Sequence, residues 1–150
     1  ESATRILNLD GVNVPMPIDV MVAKEFSNEA IAETKSIEGI ESDDVILDIG
    51  PETAIIYKDI INEAKTIIWN GPVGVFEFDQ FSNGTQSLAK AIEQNSGIKI
   101  VGGGDTVAVV EKYNIAHSIS YISTGGGAFL EFVKNGTLPS IEVLKSSNKV

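Results

Sequence analysis

Ile98-Lys99-Ile100-Val101-Gly102-Gly103-Gly104-Asp105-Thr106 decides how this chain is read. A short β-branched run meets three glycines, and a carboxylate and a hydroxyl then open a helical pattern that runs from Asp105 to Tyr113 with Val107 and Val110 inside it. Strand, glycine turn and helix in that order form one half of a βαβ unit. The same order recurs on both sides. Apolar runs at Ile18–Ala23, Val45–Ile49, Thr66–Trp69 and Ile119–Ile122 share its character, and each predicts a strand buried on both faces. Helices are predicted over Glu52–Ala64, after Pro51 and with Ile56, Ile60 and Ile61 at helical spacing, and over Ser87–Gln94 before Gly97. A further helix, Ala128–Lys134, stops before Gly136, a natural left-handed cap. Alternation at this spacing predicts an α/β fold with a mainly parallel sheet and right-handed crossovers.

The composition narrows the function. At 150 residues and 43% hydrophobic, the chain is long enough for one core and too apolar to be disordered. No apolar run reaches the ~20 residues of a membrane span, and no secretory pattern opens the chain. The absence of cysteine removes disulfides, thiolate metal sites and thiol nucleophiles. A formal net charge of −10 argues against a nucleic-acid partner. Arg5 is the only arginine, so the usual fork for carboxylates and phosphates is scarce here.

Ligands of open α/β sheets sit at the carboxyl ends of the strands. Those ends read Asp48-Ile49-Gly50-Pro51, Asn70-Gly71-Pro72-Val73-Gly74-Val75-Phe76-Glu77, Gly102-Gly103-Gly104-Asp105-Thr106 and Ser123-Thr124-Gly125-Gly126-Gly127. Glycines at a helix start let backbone amides approach a phosphate, where the helix dipole adds about half a positive charge. The other reading is that each glycine turn only lets a helix pack close to the sheet. Asp105 either serves a Mg²⁺ between itself and phosphates or caps the following helix. Glu77 is either a ribose contact or a solvated loop acid. His117 reads as a solvated loop histidine, and Phe76, Phe78 and Phe81 as residues packing the loop, with adenine stacking as the sharper alternative.

Neither G-x-x-x-x-G-K-[ST] nor G-x-G-x-x-G occurs, which disfavours a P-loop or a dehydrogenase-like nucleotide domain. There is no nucleophile elbow and no histidine–carboxylate relay in the pattern. Phosphoryl transfer onto a carboxylate is one reaction that fits this lack of a general base, because the nucleophile is already ionised.

Trp69-Asn70-Gly71-Pro72-Val73-Gly74-Val75-Phe76-Glu77, Gly102 to Thr106 and Ser123-Thr124-Gly125-Gly126-Gly127-Ala128 resemble phosphoglycerate kinases, in that family's order and spacing. Pro17 to Ala23 and Leu47 to Pro51 add to the likeness, and Ser123 to Pro139 is most similar to bacterial members. The resemblance implies a Rossmann-like three-layer α/β/α fold and phosphoryl transfer between 1,3-bisphosphoglycerate and ADP, giving 3-phosphoglycerate and ATP in glycolysis. It implies Mg²⁺ with ATP or ADP as the cofactor, and a monomeric cytoplasmic enzyme. Carried across, Gly103, Gly104, Asp105 and Thr106 meet the nucleotide phosphates, with Asp105 serving the metal. Glu77 holds the ribose; Asn70, Pro72 and Val75 line the cleft, with Leu47 near the adenine. Gly125, Gly126 and Gly127 present amides to the phosphoryl group in transfer.

Nothing in the sequence corresponds to the family's N-terminal, phosphoglycerate-binding domain, nor to the early nucleotide-domain segment with its phosphate lysine. Residues 1–12 read like the end of a helix. The expectation is therefore that residues 1–150 are the later part of a C-terminal nucleotide-binding domain, with a sheet incomplete at its N-terminal side. Alone, such a fragment should show little or no kinase activity. The alternative is a non-catalytic nucleotide-binding or scaffold module of the same fold.

Overall fold

The computed structural model describes residues 2–147. A short helix α1 (Ser2–Leu7) leads to β1 (Asp19–Ala23), β2 (Glu33–Ser36) and β3 (Val45–Ile49). Then come α2 (Pro51–Glu63), β4 (Thr66–Trp69), α3 (Asn83–Gln94), β5 (Ile98–Gly102) and α4 (Gly104–Lys112). The chain finishes with β6 (Tyr121–Ser123), α5 (Gly127–Asn135) and α6 (Pro139–Ser147).

The strands form two sheets, ordered β2-β1-β3 and β4-β5-β6. The second is parallel, with Ile68 opposite Ile100 and Ile100 opposite Tyr121. The first departs from the expected parallel arrangement: β1 runs antiparallel to both its neighbours. The reason lies between Ala23 and Val45, where no crossover helix is encoded and β2 folds back on β1 instead.

Side chains alternate across the parallel sheet as strand geometry requires. Trp69 and Val101 turn to one face, where Ala89, Ile92, Val109 and Val110 from α3 and α4 close over them. Fully burying each large apolar side chain of this kind contributes roughly 1.5–3 kcal/mol. Ile68 and Tyr121 turn to the other face and remain more than half exposed. α5 lies on that side, and a cleft of about 590 Å³ lies between its Phe129 and Phe132 and the sheet. The strands are thus covered on one face and largely open on the other, against the expectation of burial on both. Ile55 and Ile60 of α2 are likewise exposed, while Thr53 and Ala54 take the buried side.

A buried carboxylate starts α2. Gly50 occupies the cap position with no side chain of its own, and Asp19 of β1 supplies the acceptors from elsewhere. Its Oδ2 accepts from the Glu52 amide at 3.0 Å and its Oδ1 from the Thr53 amide at 2.7 Å. The Thr53 hydroxyl donates to Asp19 Oδ1 at 2.6 Å and accepts the Ile18 and Asp19 amides. A Cβ on Gly50 would stand 2.1 Å from Asp19 Cγ, so glycine is required for the close approach. Among the described residues, no helix is long and apolar enough to cross a membrane.

Candidate functional site

The parallel strands β4, β5 and β6 all deliver their chains to one edge, and of the expected site residues those after these three strands, Asn70 to Glu77, Gly103 to Thr106 and Gly125 to Gly127, follow them. α4 begins at that edge with Gly103 as its cap residue, at φ +92°, and no side chain caps it. Val107 is the first residue to donate back into the helix, to the Gly103 carbonyl at 3.0 Å. The amides of Gly104, Asp105 and Thr106 therefore form an uncapped first turn, with its positive end directed outward. Asp105 is exposed in that turn and is not the cap residue, which removes the capping alternative.

The three glycines divide their work. A Cβ at Gly102 would lie 2.3 Å from Phe129 Cδ1, so this glycine lets α5 pack onto β5. Gly103 needs its positive φ, and a Cβ there would come within 2.8 Å of Asn70 Oδ1. Gly104 has nothing within 4 Å of a Cβ position, so packing does not explain it. The second triplet shows a similar split. Gly126 caps α5 at φ +47°, Gly127 faces open space, and Gly125 makes only ordinary contacts.

The loop after β4 is held against α4. The Thr106 hydroxyl, 1% exposed, accepts the Gly71 amide at 2.7 Å. That hydroxyl is turned inward, so the residue offers a ligand its backbone amide. Trp69 Nε1 donates to the Gly71 carbonyl at 2.8 Å. Asn70 is exposed, Pro72 and Val75 are half-buried, and Glu77 stands exposed at the loop's far end. Phe76 and Phe81 are buried and pack the loop to the body. Lys112 Nζ donates to the Phe76 carbonyl at 2.5 Å and lies 5.8 Å from the Phe76 ring centre.

Leu47 joins this edge through a bulge. Met21 pairs with Asp48 and Val22 with Ile46, so Leu47 has no partner on β1. Its carbonyl accepts the Val75 amide at 2.8 Å, while its side chain, 4% exposed, packs with Ala23, Ala30 and Phe81. His117 lies away from this edge, in the turn that precedes β6, 68% exposed and 3.5 Å from Glu93.

Several structural residues of this region escape a motif-based reading. Asp48, 2% exposed, accepts the Gly84 amide at 2.8 Å and the Ile49 amide at 2.9 Å. Burial pushes its carboxyl up to about 6 against those two bonds. Asp19 behaves differently: burial raises it too, but the Thr53 hydroxyl and the Glu52 and Thr53 amides together hold it below its ordinary value. The usable signal for both is a lone aspartate inside an apolar strand run. A third acidic group, Glu41, Asp43 and Asp44, gathers beside β1 and β3. Lys24 and Lys35 already reach into it at 2.8–3.1 Å, so two of its three negative charges are balanced internally.

A parallel sheet with helices on both faces, and two uncapped glycine-opened helices side by side at its carboxyl edge, places the molecule in the three-layer, Rossmann-like α/β class. Comparison with known proteins resolves it further. The family model for phosphoglycerate kinase matches residues 1–136. The phosphoglycerate kinase of Coxiella burnetii is 47% identical and superposes with a TM-score of 0.82, over 90% of this chain and 34% of its own. That of Pyrococcus horikoshii OT3 is 34% identical with a TM-score of 0.74, over 89% of this chain and 33% of its own. This chain belongs to the phosphoglycerate kinase family. It spans about a third of the length of these two relatives.

Proposed function

We propose that this chain is the later part of a phosphoglycerate kinase nucleotide-binding domain and supplies part of its Mg-nucleotide site. The observation that carries the reading is the uncapped first turn of α4, opened by Gly103 and braced against Asn70 and Gly71. The free sheet faces and the one-third coverage of the relatives support the view that further segments complete the domain.

In this reading the amides of Gly104, Asp105 and Thr106 bind the nucleotide phosphates, and the positive end of α4 offsets their charge. Asp105, exposed and unpaired among the described residues, suits a cation at that turn. Mg²⁺ bound there would neutralise phosphate charge. Glu77 reaches the ribose hydroxyls. Asn70, Pro72 and Val75 line the cleft, and Leu47 acts through the wall it builds with Val75. Gly125, Gly126 and Gly127 form the turn that opens α5 and present it to the phosphoryl group, with Gly126 and Gly127 offering amides and the Gly125 amide donating to Ser123 Oγ at 3.4 Å. The acyl phosphate of 1,3-bisphosphoglycerate gives its phosphoryl group to a β-phosphate oxygen of ADP, and 3-phosphoglycerate leaves as a carboxylate. Both oxygens are ionised, so catalysis is positioning and charge stabilisation, without a general base. In this reading the phosphoglycerate site lies in the family's N-terminal domain, outside residues 1–150, so these residues by themselves are expected to show little or no kinase activity.

Calorimetric titration of the full-length kinase with ADP, with and without Mg²⁺, tests this. Asp105→Ala should weaken Mg-ADP binding about tenfold, or ~1.4 kcal/mol, and leave metal-free ADP binding nearly unchanged. Equal Mg-ADP affinity in the variant would overturn the metal role. Equal affinity in both Asp105→Ala and Glu77→Ala would overturn the site.

A further inference from the structure

Asp48 and Thr85 do nothing in the chemistry described above, yet they grip the loop that carries it. Asp48 projects from β3 into the gap between the Val73–Val75 stretch and the first turn of α3. The gap exists because two residues lack side chains. A Cβ on Gly74 would stand 2.2 Å from Asp48 Oδ1, and one on Gly84 would stand 2.3 Å from it. From the α3 side, the Thr85 hydroxyl, 0% exposed, accepts the Val73 amide at 3.3 Å and the Gly74 amide at 3.2 Å. Asp48 in turn accepts the Gly84 amide at 2.8 Å, which fixes the turn that carries Thr85. From the β3 side, the Leu47 carbonyl accepts the Val75 amide at 2.8 Å.

Three successive loop amides, Val73, Gly74 and Val75, thus end on buried acceptors belonging to β3 and α3. A loop gripped at each amide has little freedom left, and the residues it presents are held in place beforehand. Those residues are Pro72, Val75 and, two positions on, Glu77. Buried acceptors of this kind have no water to replace them, so removing one strands the amide it served.

We propose that Asp48 and Thr85 are positioning residues for the nucleotide loop, acting through the Val73–Val75 backbone and setting nucleotide affinity without touching the nucleotide. The assignment rests on the nucleotide-site reading. Loosening the grip should cost nucleotide binding and spare the phosphoglycerate site, which the same reading assigns to another domain.

The test is a KM comparison in the full-length kinase with Mg-ATP and 3-phosphoglycerate as substrates, on Asp48→Asn and Thr85→Val. Thr85→Val, which strands the Val73 and Gly74 amides, should raise the Mg-ATP KM at least about tenfold. Asp48→Asn, which leaves one acceptor oxygen for the Gly84 and Ile49 amides, should raise it about tenfold, while the 3-phosphoglycerate KM stays within about twofold in both. Thr85→Ser, which keeps the acceptor, should restore the wild-type value. A merely structural role would lower the active fraction, and hence the maximal rate, leaving both KM values alone. That outcome overturns the proposal. Hydrogen exchange on the 150-residue chain gives a second readout, independent of nucleotide. The Val73, Gly74 and Val75 amides should exchange at least about tenfold faster in Thr85→Val, and unchanged protection there also overturns it. If Glu77→Ala raises the Mg-ATP KM while Asp48→Asn and Thr85→Val do not, only the positioning role fails. If Glu77→Ala and Asp105→Ala leave it unchanged too, the nucleotide-site reading fails first.

Discussion

The Thr106 hydroxyl accepts the Gly71 amide at 2.7 Å and so joins the first turn of α4 to the loop after β4. The bond has a buried acceptor and a half-buried donor and spans thirty-five positions, linking the turn proposed for phosphates to the loop proposed for the nucleoside. Thr106→Val keeps the shape and removes the acceptor. It is expected to destabilise the chain by ~1–3 kcal/mol, because the Gly71 amide is left without a partner. Thr106→Ser should recover most of that loss. Urea unfolding followed by the emission of Trp69, the only tryptophan, measures both.

Gly102 and Gly104 belong to one triplet but respond to different constraints. Gly102→Ala places a methyl group 2.3 Å from the Phe129 ring, so α5 must move away from β5. An overpacked contact of this kind costs ~1–3 kcal/mol, and Phe129→Ala should relieve most of it in the double variant. Gly104→Ala meets nothing within 4 Å. It should stabilise α4 by up to ~1 kcal/mol through helix propensity, yet weaken nucleotide binding where a phosphate must approach the backbone. Thermal melts and a Mg-ADP titration on the two variants separate packing from binding.

Asp19 starts α2 from another strand, and its removal leaves the Glu52 and Thr53 amides without their acceptors. Asp19→Ala is expected to destabilise by ~1–3 kcal/mol, the range of a lost cap combined with a buried hydrogen bond. Its carboxyl is held below its ordinary value of 3.8. The stabilisation is therefore full above that pH and declines as pH falls through the lowered folded value. Denaturant midpoints of wild type and variant should differ at pH 7 and converge in strong acid.

These cases show what the sequence made legible. β3 and β4 were readable to the residue, since Val45-Ile46-Leu47-Asp48-Ile49 and Thr66-Ile67-Ile68-Trp69 coincide with the strands. Gly136 ends α5 in the left-handed conformation, as its position after Lys134 suggested. β2 was not readable, because Glu33-Thr34-Lys35-Ser36 has no apolar alternation and owes its strand state to pairing with β1. α3 begins at Asn83, four residues before the expected start, where Gly84 would ordinarily weaken a helix. Its first turn is held by Asp48, thirty-six positions upstream, and no local pattern carries that. Glycine-rich turns announced the site's edge, but how Gly102, Gly103 and Gly104 divide their work depends on Phe129 and Asn70.

The buried carboxylate of Asp48 should leave a signature in pH. Its carboxyl, ordinarily near 3.8, is pushed up to about 6 by burial, against the amides of Gly84 and Ile49. From the end of α4, the Tyr113 phenol, itself raised by burial, feels the charges of Asp48 and of Asp79 in the loop. The folded state therefore binds this proton more tightly than the unfolded chain does. Between pH 4 and 6 the native protein holds more protons at this position, so its contribution to stability falls as pH rises and is lost above about 6. Asp48→Asn cannot titrate. The stability of wild type relative to Asp48→Asn should be greatest near pH 4, decline through pH 5 and level off by pH 7. Melting temperatures of the two proteins across that range give the difference directly, with the other carboxylates cancelling between them. A constant difference would mean that Asp48 reaches solvent in the folded chain, and the tight fit against Gly74 and Gly84 would then have to be abandoned.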